Sequence, residues 1–316
     1  MHIPDGFLSP SVALPLWGVS VGISGYVLRR VSQDLTEQET PMIGVVAAGI
    51  FAAQMLNFPI AGGTSGHLMG TALATLLFGP WMAILIMTCV LITQTLVFQD
   101  GGLIALGANV FNMGIIGALV AHAIDQTFRS LFGDRRWARP VAAFLCGWAA
   151  IVMGALATGM ELALSGLVPA NVVVPAMGGI HALIGVVEGL ITMSAVTFLT
   201  TVRGDLKIER KIAGRTPAWI AGLAIVLILT LLAPLASADP DGLERVAEDL
   251  GFIQAARPSA FSLLPDYTIP GLPNESLATI LAGILGAIIV LALILILGLG
   301  QRSRARQAEK ASGAKT

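Results

Sequence analysis

Apolar residues fall in long runs along this chain, separated by short polar stretches. The runs approach the roughly 20 residues that carry a helix across a bilayer. Nine such stretches are predicted, at about 11–28, 42–58, 67–80, 81–98, 103–123, 140–163, 176–202, 217–236 and 276–299. Residues 67–98 could form one long helix, but Gly79-Pro80 interrupts the run, and two short helices joined by a tight turn fit better. The expected fold is an all-α polytopic membrane protein, with a seven-span bundle and two C-terminal spans around a polar loop at 237–275.

Charge sets the expected orientation. Arg29 and Arg30, Arg129, Arg135, Arg136 and Arg139, Arg203, Lys207, Arg210, Lys211 and Arg215, and Arg302, Arg304, Arg306, Lys310 and Lys315 all fall in alternate loops and the tail. Only Arg245 and Arg257 lie elsewhere, both in the 237–275 loop. Because positive loops stay inside, the N-terminus is expected outside and the C-terminus in the cytoplasm, in the inner membrane of a bacterial or archaeal cell. A single helix over 67–98 would reverse the bias. The basic loop at 203–216 also divides the chain, with a compact bundle at 1–205 and a second part at 206–316. The loop of that second part is acidic, carrying Asp239, Asp241, Glu244, Glu248, Asp249, Asp266 and Glu275.

Composition narrows the function. Hydrophobic residues make up 55% of the chain and charged residues 12%, about half the charge of a soluble domain. A soluble enzyme, a nucleic-acid binder and a disordered regulator are excluded. Cys89 and Cys146 both sit in apolar runs, so no disulfide framework is implied. No G-x-x-x-x-G-K-[ST] motif is present, so ATP is not bound through a P-loop. The first ten residues, MHIPDGFLSP, lack the basic start of a signal peptide, so the first span is expected to remain. Met1 is expected to remain too, because histidine is a large second residue.

The candidate chemistry begins at Met1. A chain starting Met-His offers three nitrogens in sequence: the amine of Met1, the amide of His2 and the imidazole of His2. Amine and amide close a five-membered chelate ring, and amide and near ring nitrogen close a six-membered one. All three can lie in one plane, and a fourth nitrogen completes a square that suits Ni(II) or Cu(II). The other reading of His2 is a frayed polar terminus. His67 offers the fourth nitrogen, because it follows the glycine-rich run Pro59-Ile60-Ala61-Gly62-Gly63-Thr64-Ser65-Gly66 on the same expected side. Irregular backbone near membrane depth is tolerated where protein buries it, and a flexible loop with a capping histidine is the alternative.

Other residues carry weaker signals. His181 lies behind Gly178-Gly179, where it would line a site or simply pack, and His122 reads as a packed or interfacial histidine. Glu188 lies well inside a span, as a functional group or a neutral hydrogen-bonded one. Glu161 reads as interfacial. Asn109 and Asn112 fall within the fifth span and would cross-link helices or support a site. The methionines form no thioether ladder. The 237–275 loop, remote in sequence from the chelate, is expected to serve transport more than binding.

MHIPDGFLSP, GGTSGHLMG around His67 and LGANVFNMG at 106–114 resemble the substrate-binding (S) component of energy-coupling-factor nickel and cobalt transporters, the NikM/CbiM family. The likeness covers about 1–205. Downstream, the PDGLE motif of Pro240, Asp241, Gly242, Leu243 and Glu244, preceded by Asp239, resembles the NikN-type accessory component fused on. The resemblance implies Met1, His2 and His67 as metal ligands. Ser65, Asn109, Asn112 and His181 are possible supports around them. It also implies no ATP hydrolysis by this chain and no cofactor, with Ni(II) or Co(II) as the transported ion. Its partners would be membrane lipid, a transmembrane coupling component and ABC-type ATPases. Planar nitrogen ligation favours nickel over cobalt. An intramembrane metalloenzyme needs an open metal position beside an acid or base, and four planar nitrogens leave none in view. A stand-alone carrier would need a charged pathway, which the spans lack.

Overall fold

The structure, a computed structural model, describes residues 1–31, 39–133, 135–203, 216–259 and 261–313. Helices α1 (Pro10–Val31) and α2 (Thr40–Gln54) precede a two-stranded antiparallel hairpin, β1 (Phe58–Ile60) and β2 (Thr64–Gly66). The short α3 (Thr71–Phe78) then leads to α4 (Pro80–Thr93), which ends in a π-helical turn at Gln94–Phe98. Helix α5 (Leu106–Asn109), a π-helical stretch at Val110–Ile116 and α6 (Gly117–Phe132) run on without a break. Helices α7 (Ala138–Leu164) and α8 (Ala170–Arg203) pack along each other. The C-terminal part contributes α9 (Thr216–Leu232), the short α10 (Gly242–Asp249) and α11 (Glu275–Gly313).

Burial follows the apolar pattern. Helix α2 is apolar on all sides and largely buried, and it lies against α4, α9 and α11. A helix without a polar face belongs in the middle of a bundle. Helix α1 leaves Leu14, Val19, Val21 and Tyr26 exposed, which suits a helix that faces lipid. Small residues let the two parts approach closely, as in membrane bundles generally. At Gly286 of α11, a Cβ would run into the rings of Phe51 and Phe98.

Among the described residues, six helical stretches are long and apolar enough to cross a membrane: Pro10–Val31, Pro80–Phe98, Leu106–Phe132, Ala138–Leu164, Ala170–Leu199 and Glu275–Gly298. Two shorter apolar helices, Thr40–Gln54 and Trp219–Leu235, join them. The chain is thus a multi-pass membrane protein. The expected span at 67–80 is different in kind. The chain does break at Gly79-Pro80, with Gly79 at φ 84°, but α3 has only eight residues. Such a helix rises about 12 Å, so residues 67–70 make up the distance as irregular, buried backbone.

That backbone is held by side chains from neighbouring helices. The carboxylate of Glu188 accepts from the amides of Met69 (2.7 Å) and Gly70 (3.0 Å). The amide of Gln54 donates to the carbonyl of Met69 at 2.8 Å. Buried main-chain polar groups need such partners where water is excluded.

The N-terminal segment, the hairpin, residues 98–105 and residues 236–274 gather at one end of the bundle. Ile3, Asn57, Ser65 and Val97 bond there to Gly102, Ser237, Pro240 and Leu264. The opposite end holds a groove between Glu39, Phe78, Gly79, His122 and Arg129. Lys207, Arg210, Lys211, Arg215, Lys315 and the expected domain boundary at 205–206 lie outside the described residues.

Candidate metal site at the buried N-terminus

The first ten residues form an anchored insert. Ile3, Phe7 and Leu8 are buried, and Phe7 meets Phe252 edge-on at 5.2 Å. Asn109 grips Ile3 at both ends of its peptide, accepting from its amide at 2.8 Å and donating to its carbonyl at 3.2 Å. The carboxylate of Asp5 accepts from the amides of Leu103, Ile104 and Ala105, in the turn that leads into α5. The carbonyl of Asp5 accepts from Arg257. These contacts hold Met1 inside the protein, with only 6% of its surface exposed.

Three of the expected residues meet there. The amine of Met1 lies 3.4 Å from Nε2 of His67. The rings of His2 and His67 stack with centroids 5.3 Å apart. Nδ1 of His67 contacts the carbonyl of Leu68 at 3.1 Å, which turns Nε2 toward the amine. Nδ1 of His2 lies 3.1 Å from a carboxylate oxygen of Asp100, and its Nε2 lies 3.0 Å from Oε1 of Gln94. Among the described residues, no group of three or more His, Cys, Asp or Glu side chains is arranged to hold a metal ion.

The PDGLE motif reaches this site directly. The amine of Met1 donates to Oδ2 of Asp241 in an ion pair. The other oxygen of Asp241 accepts from the amides of Leu243 (2.7 Å) and Glu244 (2.9 Å), and Glu244 returns a carboxylate to the amide of Asp241. This capping box starts α10. Burial alone would raise the carboxyl pKa of Asp241. The charge and hydrogen bond of the amine outweigh it and hold the group below its ordinary value. Burial beside Asp241 pushes Glu244 the other way, upward. Ser65 donates from its amide to Pro240 and from its hydroxyl to Asp239, so the loop also clasps the hairpin that precedes His67. Gly242 is required by close approach, because a Cβ there would lie 2.9 Å from Nε2 of His181.

The loop also reaches the N-terminal segment indirectly, through Asp100, which lies beside His2. Tyr267 donates to Asp100 at 2.5 Å and stacks on Phe98 with centroids 4.6 Å apart. Burial, followed by the charge of Asp100, raises the phenol well above its ordinary pKa. The 237–275 loop therefore contacts Met1 directly and His2 through Asp100. Sequence distance concealed a contact that folding supplies.

The supporting residues divide. His181 is buried with Nδ1 on the carbonyl of Met177, and its Nε2 is unpartnered. It lines a small cavity of about 10 Å³ together with Met1, His67, Asp241 and Gly242. Asn109 holds the N-terminal segment. Asn112 turns instead to α7, donating to Thr158 and Glu161. Glu161 is buried rather than interfacial. Ser65 serves the hairpin clasp. Gln54 and Gln94, both buried near His2, drew no attention as glutamines within apolar runs.

Comparison with known proteins agrees with this architecture. A family described as cobalt uptake substrate-specific transmembrane region matches residues 2–206, and the PDGLE domain matches residues 215–303. A putative fused nickel transport protein NikMN of Archaeoglobus fulgidus is 42% identical, over 93% of this chain and 96% of that protein. The fused nickel transport protein NikMN of Rhodobacter capsulatus is 31% identical, over 92% and 95%. The cobalt transport protein CbiM of Sorangium cellulosum is 35% identical, over 65% of this chain and 94% of its own. The crystal structure of a truncated transition metal transporter superposes with a TM-score of 0.58 at 33% identity, covering 64% of this chain and 99% of that one. The chain belongs to the CbiM family of nickel and cobalt transport proteins, with a PDGLE domain fused at its C-terminal side.

Proposed function

We propose that this chain is the substrate-binding component of an ATP-driven energy-coupling-factor importer for divalent nickel. The carrying observation is the meeting of the Met1 amine, His2 and His67 in a buried pocket without a side-chain-only metal cluster. The amine and amide nitrogens, Nδ1 of His2 and Nε2 of His67 then form the planar donor set. A doubly charged ion there replaces protons on the amine and amide, so binding is tied to proton release.

The two halves, 1–205 and 206–316, act as binding bundle and accessory module. Nine crossings place the N-terminus outside and the C-terminus in the cytoplasm of a bacterial or archaeal cell, as the basic loops require. A transmembrane coupling component and ABC-type ATPases supply the energy, since the chain has no P-loop of its own. Nickel is favoured by planar nitrogen ligation. The names of the two fused relatives, which match both halves, point the same way. Cobalt, for cobalamin synthesis, is the second reading, favoured by the matched family's character as a cobalt uptake region.

The test is titration of the purified chain with Ni(II) and Co(II), alone and in competition. One nickel per chain, retained against cobalt and lost in His67→Ala, supports the reading. Preference for cobalt selects the second reading, and unchanged nickel binding in His67→Ala removes the ligand set. No ATP hydrolysis is expected from the chain alone.

A further inference from the structure

A relay of buried amides leads from the backbone beside His67 to the ring of His2. It begins at the carbonyl of Met69, which can only accept. Gln54 must therefore present its Nε2 to that carbonyl, at 2.8 Å. Its Oε1 then faces Gln94 and accepts from Nε2 of Gln94 at 2.6 Å. Gln94 is left with Oε1 toward His2, 3.0 Å from the ring Nε2. An amide oxygen only accepts, so Nε2 of His2 must carry a hydrogen. Neither glutamine can flip without setting donor against donor or acceptor against acceptor. The relay is sealed, since Gln54 and Gln94 are 4% and 0% exposed.

We propose that Gln54 and Gln94 are positioning residues that fix the proton of His2 on Nε2 and so reserve Nδ1 for the metal. The inference rests on the proposed role of His2 as a ligand. A neutral imidazole has one hydrogen, and the tautomer decides which nitrogen offers a lone pair. Only Nδ1 lies close enough to the His2 amide to close a six-membered chelate ring. A hydrogen on Nδ1 would remove that donor. Asp100 lies 3.1 Å from Nδ1, on the side where the metal would sit. With the single hydrogen held on Nε2, the ring offers the Nδ1 lone pair in the required tautomer. The relay starts two residues after His67, and Glu188 holds the amides of Met69 and Gly70. Both imidazoles are thereby referenced to one piece of fixed backbone.

Directionality distinguishes this role from packing. Replacing Gln94 with leucine removes the acceptor, and Gln54→Leu frees Gln94 to flip its NH₂ toward His2. Each change is expected to weaken nickel binding by about 10- to 100-fold, as loss of an outer partner of a metal-bound histidine does. Gln94→Glu presents a carboxylate acceptor to His2 in either orientation and should bind better than Gln94→Leu, although its second oxygen then faces Oε1 of Gln54. In that background Gln54→Leu should cost nothing further. The experiment is nickel titration of the purified full-length chain and these four variants, with ¹⁵N spectra of the labelled imidazoles in nickel-loaded protein. Planar nickel is diamagnetic, so the proton on Nε2 can be read directly.

Loss in Gln54→Leu that vanishes in the Gln94→Glu background, with hydrogen on Nε2 in the loaded wild type, bears the relay out. An equal cost of Gln54→Leu in both backgrounds assigns it to packing and overturns the proposal, as does a metal-bound Nε2. Variants that fail to fold leave the wild-type spectrum to decide. Wild-type nickel affinity in His2→Ala would overturn the ligand reading itself, separately from the direction of the relay.

Discussion

Asp241 makes two kinds of contact that substitution can separate. One oxygen caps α10, and the other holds the Met1 amine. Asparagine caps a helix nearly as well as aspartate, so Asp241→Asn should remove the ion pair and spare the cap. It is expected to lower stability of the metal-free protein by about 1.5–3 kcal/mol, the range for hydrogen bonds to charged groups. Asp241→Ala should cost about 1 kcal/mol more, the loss of an N-cap. Thermal unfolding of both variants in one detergent measures the difference, and equal midpoints would mean that the cap contributes nothing. The same pair has a pH signature. Because the folded pKa of Asp241 is depressed, its contribution is complete above the unfolded carboxyl value of about 3.9 and is lost as pH falls below it. Asp241→Asn should abolish that part of the acid dependence. Very little of this was legible beforehand. Met1, His2 and His67 stood out as candidates because their chemistry is local or marked by glycines. The meeting of Asp241 with Met1 spans a separation of 240 positions in the chain, and Gln94 resembles any polar residue tolerated in a buried helix.

At the scale of elements, the segment from Gly66 to Gly70 decides where His67 sits. Hydropathy placed a span at 67–80, because composition alone cannot distinguish a helix from irregular chain whose amides are satisfied by neighbours. The six long stretches were legible, since each is a sustained apolar run. The unexpected element depends on Glu188, which the sequence marked as a charge inside a span without naming its partners. Glu188→Leu should leave the buried amides of Met69 and Gly70 unsatisfied. At about 1–3 kcal/mol for each, the loss should be at least about 2 kcal/mol, lowering the unfolding midpoint and displacing His67. Gly70 is equally constrained, at φ 77° with a Cβ position 2.8 Å from Ile50. Gly70→Ala should therefore also destabilise the protein, while an alanine at exposed Gly62, where no atom lies within 4 Å, should incur only its backbone strain at φ 90°. Equal stability of Glu188→Leu and wild type would mean that water, not Glu188, satisfies those amides.

The whole molecule closes over its own first residue. The stretch after β2 supplies His67, neighbouring helices supply Gln54, Gln94 and Asn109, and the C-terminal loop adds Asp241 on the Met1 amine and Tyr267 on Asp100. The remaining cavity is about 10 Å³, at the lower limit for a single water. A residue placed before Met1 has no room there. It also converts the amine into an amide nitrogen, which must lose a proton before it can bind a metal, and it removes the charge that Asp241 meets. A one-residue N-terminal extension should therefore weaken nickel binding by more than the ~10–100-fold attached to an outer-shell loss. The helices should still assemble, because α1 starts only at Pro10. The same residue added after Thr316 lies beyond α11 and should leave affinity unchanged. Both proteins are to be compared for membrane insertion, unfolding midpoint and nickel titration. Matching affinities would exclude the Met1 amine from the ligands and leave the two imidazoles to an ordinary site. A loss confined to the N-terminal extension, with insertion intact, would show that binding depends on the first atom of the chain being free.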